Sequence, residues 1–314
     1  MRSALFILFV AFFSASYGQT DIADIVNMDA FVVSAGLEDF DKEDFIQQVV
    51  EDSTFYQAFL NLKYFPHRST SNLLVFNRSE DQKGMMYREA TQYLSVDEEM
   101  WVNVTLERSN GRIKKRNGEW RYLTAEMYDD VFFPTEKQKV SNRIVSQEQE
   151  LVSGSKIEKH KAQLKKMLFN PGTEIDNVPF IGDKLAIFSE EMVPYYDYAI
   201  FTADWQDSIP CIAFSQFVKE GEENEVVIRD MTSYFHIDTR EVIARTYRLA
   251  DNTLFFSFDI SIKVENTLKN GWLLPVKIEY DGFWNIPIPF TKAEVIKFDL
   301  EFFDYHTDVG MYQE

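Results

Sequence analysis

From Tyr234 to Tyr305 the chain is a succession of stretches that are apolar at every second residue. Between Leu254 and Val264, the residues Leu254, Phe256, Phe258, Ile260, Ile262 and Val264 alternate with Phe255, Ser257, Asp259, Ser261 and Lys263. Successive side chains of a strand point to opposite faces, so this is a strand with one apolar and one wet face. Ile296, Phe298, Leu300 and Phe302 repeat the pattern against Lys297, Asp299, Glu301 and Phe303. A broad antiparallel sheet of such strands must cover its apolar face or offer it to something apolar. The fold class expected is α+β and β-rich: a strongly curved antiparallel sheet, an unclosed half-barrel, with helices packed on its concave face.

The two helices that would cover that face differ in strength. Over 41–64, Phe45, Ile46, Val49 and Val50 form one stripe at helical spacing, and Phe55, Ala58, Phe59 and Leu62 form a second. Asp39 or Asp41 is placed to cap the start, Asp52-Ser53 to restart the helix midway, and Pro66 to end it. A shorter, highly charged helix is expected over 155–169, with Ile157, Leu164, Met167 and Leu168 apolar and Asn170-Pro171-Gly172 closing it. Strands are expected at 72–76, 85–96, 100–108 and 120–133, with turns at Ser109-Asn110-Gly111 and Arg116-Asn117-Gly118-Glu119. A second series is expected at 184–188, 195–202, 209–219, 225–236 and 241–249, followed by long strands around Phe258, Ile278 and Leu300.

Met1 to Gly18 reads as a secretory signal peptide. Arg2 supplies the positive start, Ala4 to Phe13 the short apolar core, and Ser16-Tyr17-Gly18 the small residues before a cut near Gly18. The organisation expected is thus signal 1–18, polar leader 19–40, a single half-barrel domain 41–306 and a tail 307–314, with the mature protein exported and periplasmic. No later stretch approaches the roughly 20 apolar residues of a spanning helix. Removing the signal takes one basic residue from 32, leaving 31 Lys and Arg against 51 Asp and Glu, a charge of −20. That charge repels phosphate backbones and argues against nucleic acid as a partner. The lone Cys211 excludes an internal disulfide and reads as a small buried apolar residue.

The hairpin Thr232-Ser233-Tyr234-Phe235-His236-Ile237-Asp238-Thr239-Arg240-Glu241-Val242-Ile243-Ala244-Arg245-Thr246-Tyr247, preceded by the strand Ile209 to Phe217, resembles one in the LolA-like lipoprotein-carrier superfamily. The order of long helix, strands, mid-chain helix and strands is similar too. Phe55-Tyr56-Gln57-Ala58-Phe59 and Tyr280-Asp281-Gly282-Phe283-Trp284 also resemble a group of exported Gram-negative proteins. The resemblance implies an open barrel whose helices plug an apolar cavity.

Nucleophile elbows, zinc-binding His-Glu-x-x-His, phosphate loops and cysteine pairs do not occur in the sequence. His236-x-Asp238 and His306-x-Asp308 are read as turn hydrogen bonding, and no metal or other cofactor is expected. Three readings remain. The chain is a carrier or binding protein for a lipid, acyl chain or lipoprotein, or an envelope interaction module with a filled core, or a hydrolase whose carboxylates meet only through the fold. The first makes the protein a non-enzyme. It puts Phe256, Phe258, Ile260, Ile262, Ile278, Tyr280, Phe298 and Leu300 on the ligand face, with Leu164, Met167 and Leu168 as lid. Its partner is an apolar ligand or acyl chain, with an envelope protein as a further partner.

Overall fold

The alternation read in the sequence is the alternation of the strands. The computed structural model describes residues 31–33, 41–144, 171–172, 183–252, 257–285 and 293–308. Among them twelve strands form one sheet: β1 (Phe31–Val33), β2 (His67–Phe76), β3 (Gln82–Leu94), β4 (Glu99–Gly111), β5 (Gln138–Lys139), β6 (Tyr196–Trp205), β7 (Ile209–Val218), β8 (Ile228–His236), β9 (Val242–Asn252), β10 (Ser257–Lys269), β11 (Trp272–Asn285) and β12 (Glu294–Phe303). The order is β1-β6-β7-β8-β9-β10-β11-β12-β2-β3-β4-β5. Only β1 runs parallel to its neighbour, β6. The end strands β1 and β5 do not meet, so the sheet is an unclosed half-barrel. In β12 the alternate residues Ile296, Phe298, Leu300 and Phe302 are buried, and Lys297 and Glu301 are exposed.

The helical stretch near the start divides as its sequence suggests, into α1 (Lys42–Val50) and α2 (Thr54–Tyr64). Asp41, not Asp39, caps α1: its Oδ1 accepts from the Asp44 amide at 3.0 Å. Phe45 packs edge-on against Phe235 of β8 at 5.3 Å, and Phe55 against Tyr247 of β9 at 6.4 Å. The first helices therefore cover the inner face of the sheet.

Three expectations fail. The stretch 120–133 is not a strand but holds helix α3 (Leu123–Phe132), with Thr124, Ala125, Met127 and Tyr128 on its buried side. Its aromatic and branched residues favour extended chain locally, and a distant cap overrides them, as described below. The stretch 184–188 has no strand partner; a 3-10 turn at Asp183–Leu185 and a following turn fold it so that Leu185 and Ile187 enter the core. Asn110-Gly111 is not a hairpin turn. It ends β4, where Gly111 (φ +84°) lies so close to Lys83 that a Cβ would come within 2.3 Å of the Lys83 carbonyl oxygen. The Asn117-Gly118 turn does form, with the Lys115 amide donating to the Glu119 carbonyl at 2.7 Å. The expected signal peptide and the helix at 155–169 lie outside the described residues.

Two sequence readings of single residues match the structure. Cys211 is buried. The His236 Nδ1 accepts from the Asp238 and Thr239 amides at 3.2 and 3.4 Å, as turn bonding requires.

His67, at the start of β2, is 5 % exposed, with its ring against Phe302 (5.3 Å) and Tyr305 (4.9 Å). Burial lowers its pKa from 6.5 to about 4, against the opposing effect of its 2.9 Å hydrogen bond to the Phe65 carbonyl. Between these two values the unfolded chain binds a proton that the folded chain refuses. The contribution is thus complete above pH 6.5 and is lost as pH falls towards 4, by about 3 kcal/mol in all. Urea unfolding of wild type and His67→Phe should show that slope in the difference between the two. Parallel pH profiles would refute it.

Candidate functional site

Strands β10, β11 and β12 carry a continuous buried apolar surface, and their registers bring the described residues of the expected ligand face together. Ile262 lies opposite Tyr280, and Tyr280 opposite Phe298; Val264, Ile278 and Leu300 form the next row. Phe258 faces Trp284, with ring centroids 5.1 Å apart. Tyr280 and Phe298 stack at 4.5 Å with planes 1° apart. Gly282 permits this geometry: a Cβ there would meet the Tyr280 hydroxyl at 2.2 Å. The hydroxyl in turn accepts from the Trp284 indole N–H at 2.6 Å. Phe258, Ile260, Ile262, Ile278, Tyr280, Phe298 and Leu300 are all buried on this one face. Phe256 and the lid residues Leu164, Met167 and Leu168 lie outside the described residues.

The patch is roofed. Tyr128 of α3 packs on Phe298 at 5.0 Å, and Phe132 approaches Phe298 and Phe302 at 6.1 and 6.3 Å. Ile260, Ile296 and Leu300 are 0 % exposed, which leaves no room for even a water molecule against them. In this form of the protein the helices fill the face.

The roof is held to the sheet by a few buried polar links. The α3 N-terminus lacks a side-chain cap of its own. Glu294, at the start of β12, supplies one: its two carboxylate oxygens accept from the Leu123 amide at 2.7 Å and the Thr124 amide at 3.0 Å. Burial raises the Glu294 pKa, against the lowering effect of these amides. The Ser71 and Tyr128 hydroxyls hydrogen-bond to each other beneath the helix.

Arg88, on the inner face of β3, bonds Asp129 of α3 at 2.5 Å and Glu107 of β4 at 2.7 Å. Burial opposes its charge, and the two carboxylates outweigh that and hold its pKa above the ordinary value. A bulge at Thr105 shifts the β4 register, which puts Glu107 rather than Leu106 opposite Arg88. Across the sheet, Arg245 of β9 holds the elbow between α1 and α2. Its Nη2 bonds Asp52 at 3.3 Å, its Nε bonds Ser233 at 2.8 Å, and its guanidinium lies 4.2 Å from the Phe55 ring. With one carboxylate instead of two, burial prevails and lowers the Arg245 pKa.

Sequence reading missed Arg88, Arg245 and Glu294. The available signal was a charged residue at an inward position of an otherwise apolar alternation, as Arg88 is between Met86 and Ala90. Among the described residues no group of three or more His, Cys, Asp or Glu is arranged to hold a metal ion, and no helix is long and apolar enough to cross a membrane.

No family profile matches the chain, and no curated protein matches it. Among solved structures it is similar to a domain described as an outer membrane lipoprotein-sorting protein from Vibrio parahaemolyticus, at 7 % identity and a TM-score of 0.29 over 86 % of this chain and 93 % of that one. A DUF1329 family protein from Desulfovibrio piger matches at 12 % identity and a TM-score of 0.24, over 82 % and 93 % of the two chains. Lipovitellin, in a structure concerned with lipid–protein interactions, matches at 7 % and 0.27 over 80 % of this chain and 26 % of its own. The first is of the class that the sequence resembles. With every TM-score below 0.5, the functional reading rests on this chain's own residues.

Proposed function

We propose that this protein is an exported carrier or binding protein for a lipid or acyl chain in the cell envelope, working without catalysis. One observation carries the reading. The broad apolar patch of β10 to β12 is covered by short helices and not by a second sheet: α2 packs on β11, and α3, a ten-residue helix, on Phe298 and Phe302 of β12. A short amphipathic helix fixed by discrete links at Glu294, Ser71 and Arg88 can leave as a unit and expose the Phe298 surface to an apolar chain. The mid-chain segment with Leu164, Met167 and Leu168 is assigned a lid role in the same reading, and Phe258, Ile262 and Tyr280 form part of the wall.

A second reading has its own support. The zero exposure of Ile260, Ile296 and Leu300 suits a permanently filled core, with function residing in contacts to an envelope protein. Native mass spectrometry of the protein purified from its exporting host separates the two. The carrier reading expects an adduct of lipid mass that leaves on collisional activation. A clean polypeptide mass, with no uptake of the apolar dye N-phenyl-1-naphthylamine, would refute it in favour of the filled core.

A further inference from the structure

Gln216 breaks the apolar character of the inner face. It stands on β7 in line with Ile212 and Phe214, is 1 % exposed, and neither its Oε1 nor its Nε2 has a hydrogen-bond partner among the described residues. A primary amide offers two donors and a carbonyl acceptor, and buried groups of this kind are seldom left unpaired. Leaving them so costs stability, and a leucine or methionine would fill the same space without that cost. Its cross-strand neighbours are Tyr198 on β6 and Met231 on β8, and the row continues to Tyr247, with no charged side chain among them. Among the described residues, irregular chain covers Phe214 and Met231, whereas Tyr247 at the far end of the row lies against Phe55 of α2. Phe188 lies 6.1 Å from Phe214, and Gly172 (φ +98°) comes so near Ile187 that a Cβ would stand 2.9 Å from its Cδ1 and 3.9 Å from the Met231 Cε.

Building on the carrier reading, we infer that Gln216 is the recognition point for the polar end of the bound chain, and that it selects an uncharged head that both donates and accepts a hydrogen bond, a carboxamide. A carboxylate would find no cation in this row. An ester can accept from Nε2 but leaves Oε1 unpaired. An amide satisfies both atoms and removes the penalty that the empty protein carries.

The test is displacement of N-phenyl-1-naphthylamine from the whole protein by decanamide and by methyl decanoate. The readout is the ratio of ester to amide half-displacement concentrations, which cancels their different solvation when protein variants are compared. From wild type to Gln216→Leu this ratio should fall about tenfold, because the amide loses both hydrogen bonds and the ester only the one from Nε2. The thermal midpoint should rise. Gln216→Met, unbranched and close in shape, should behave alike and serves if the leucine variant misfolds. A ratio within twofold of wild type in the folded variants overturns the inference while leaving the carrier reading intact. If the wild-type protein takes up neither dye nor chain, both fall together.

Discussion

Replacing Phe258 by Asp should abolish cooperative folding at neutral pH or lower the thermal midpoint by more than ten degrees. The ring is 3 % exposed and packs on Trp284. Removing a buried phenylalanine costs about 3–5 kcal/mol through lost contacts and the cavity left behind. The carboxylate that replaces it has no cation opposite in the register and adds several kcal/mol more. Against a typical stability of roughly 5–15 kcal/mol, that sum is decisive. Ser261→Lys, on the exposed face of the same strand and opposite Asp281, should change stability by no more than about 0.5 kcal/mol. A Phe258→Asp protein that melts normally but no longer takes up an apolar dye would mean that the face is an open wall. One that melts normally and still binds would put the residue outside the site altogether.

Asp52→Ala should be almost as damaging, for a different reason. The Asp52 side chain is 3 % exposed and its partner Arg245 is 8 % exposed. Deleting one member of a buried pair leaves the other charge desolvated and uncompensated, at about 3–5 kcal/mol. Asp52 also accepts from the Thr54 amide at 3.0 Å and the Thr54 hydroxyl at 2.6 Å, which holds the start of α2. Loss of that cap adds about 1 kcal/mol. Asp52→Asn retains the cap and loses the charge, so urea midpoints of the two variants divide the effect. Adding Arg245→Met to Asp52→Asn should restore most of the loss, because it removes the guanidinium left buried without a counter-charge. A loss below about 1 kcal/mol for Asp52→Ala would show that Arg245 reaches solvent in solution.

Features set by neighbours in sequence were legible. The faces of β10 and β12, the break between α1 and α2 at Asp52-Ser53, and the reversal after His236 all depend on local periodicity and turn chemistry. The capping residue Asp41 was one of two candidates for the same reason. That Phe258, Ile260, Ile262, Ile278, Tyr280, Phe298 and Leu300 share one buried face was legible, and so was the covering of the sheet by α1 and α2; the covering by α3 was not. Helix α3 sits where Trp120 to Phe133 read as a strand, since its N-terminus is capped by Glu294, about 170 positions away. Glu107 reaches Arg88 only through the bulge at Thr105, which follows from pairing with β3 and leaves no mark in the composition of β4.

By itself, then, the sequence determined which residues share a face, because alternation along a strand and periodicity along a helix are properties of the local backbone. It determined a β-rich, acidic chain with one apolar surface to hide. Only the tertiary structure decided how the cover is completed and held: helix α3, the buried links at Glu294, Arg88 and Arg245, and an amide at Gln216 without a partner among the described residues. Hydrogen bonds and ion pairs across 19 to 193 residues depend on chain reversals and strand register, and no local spacing encodes them.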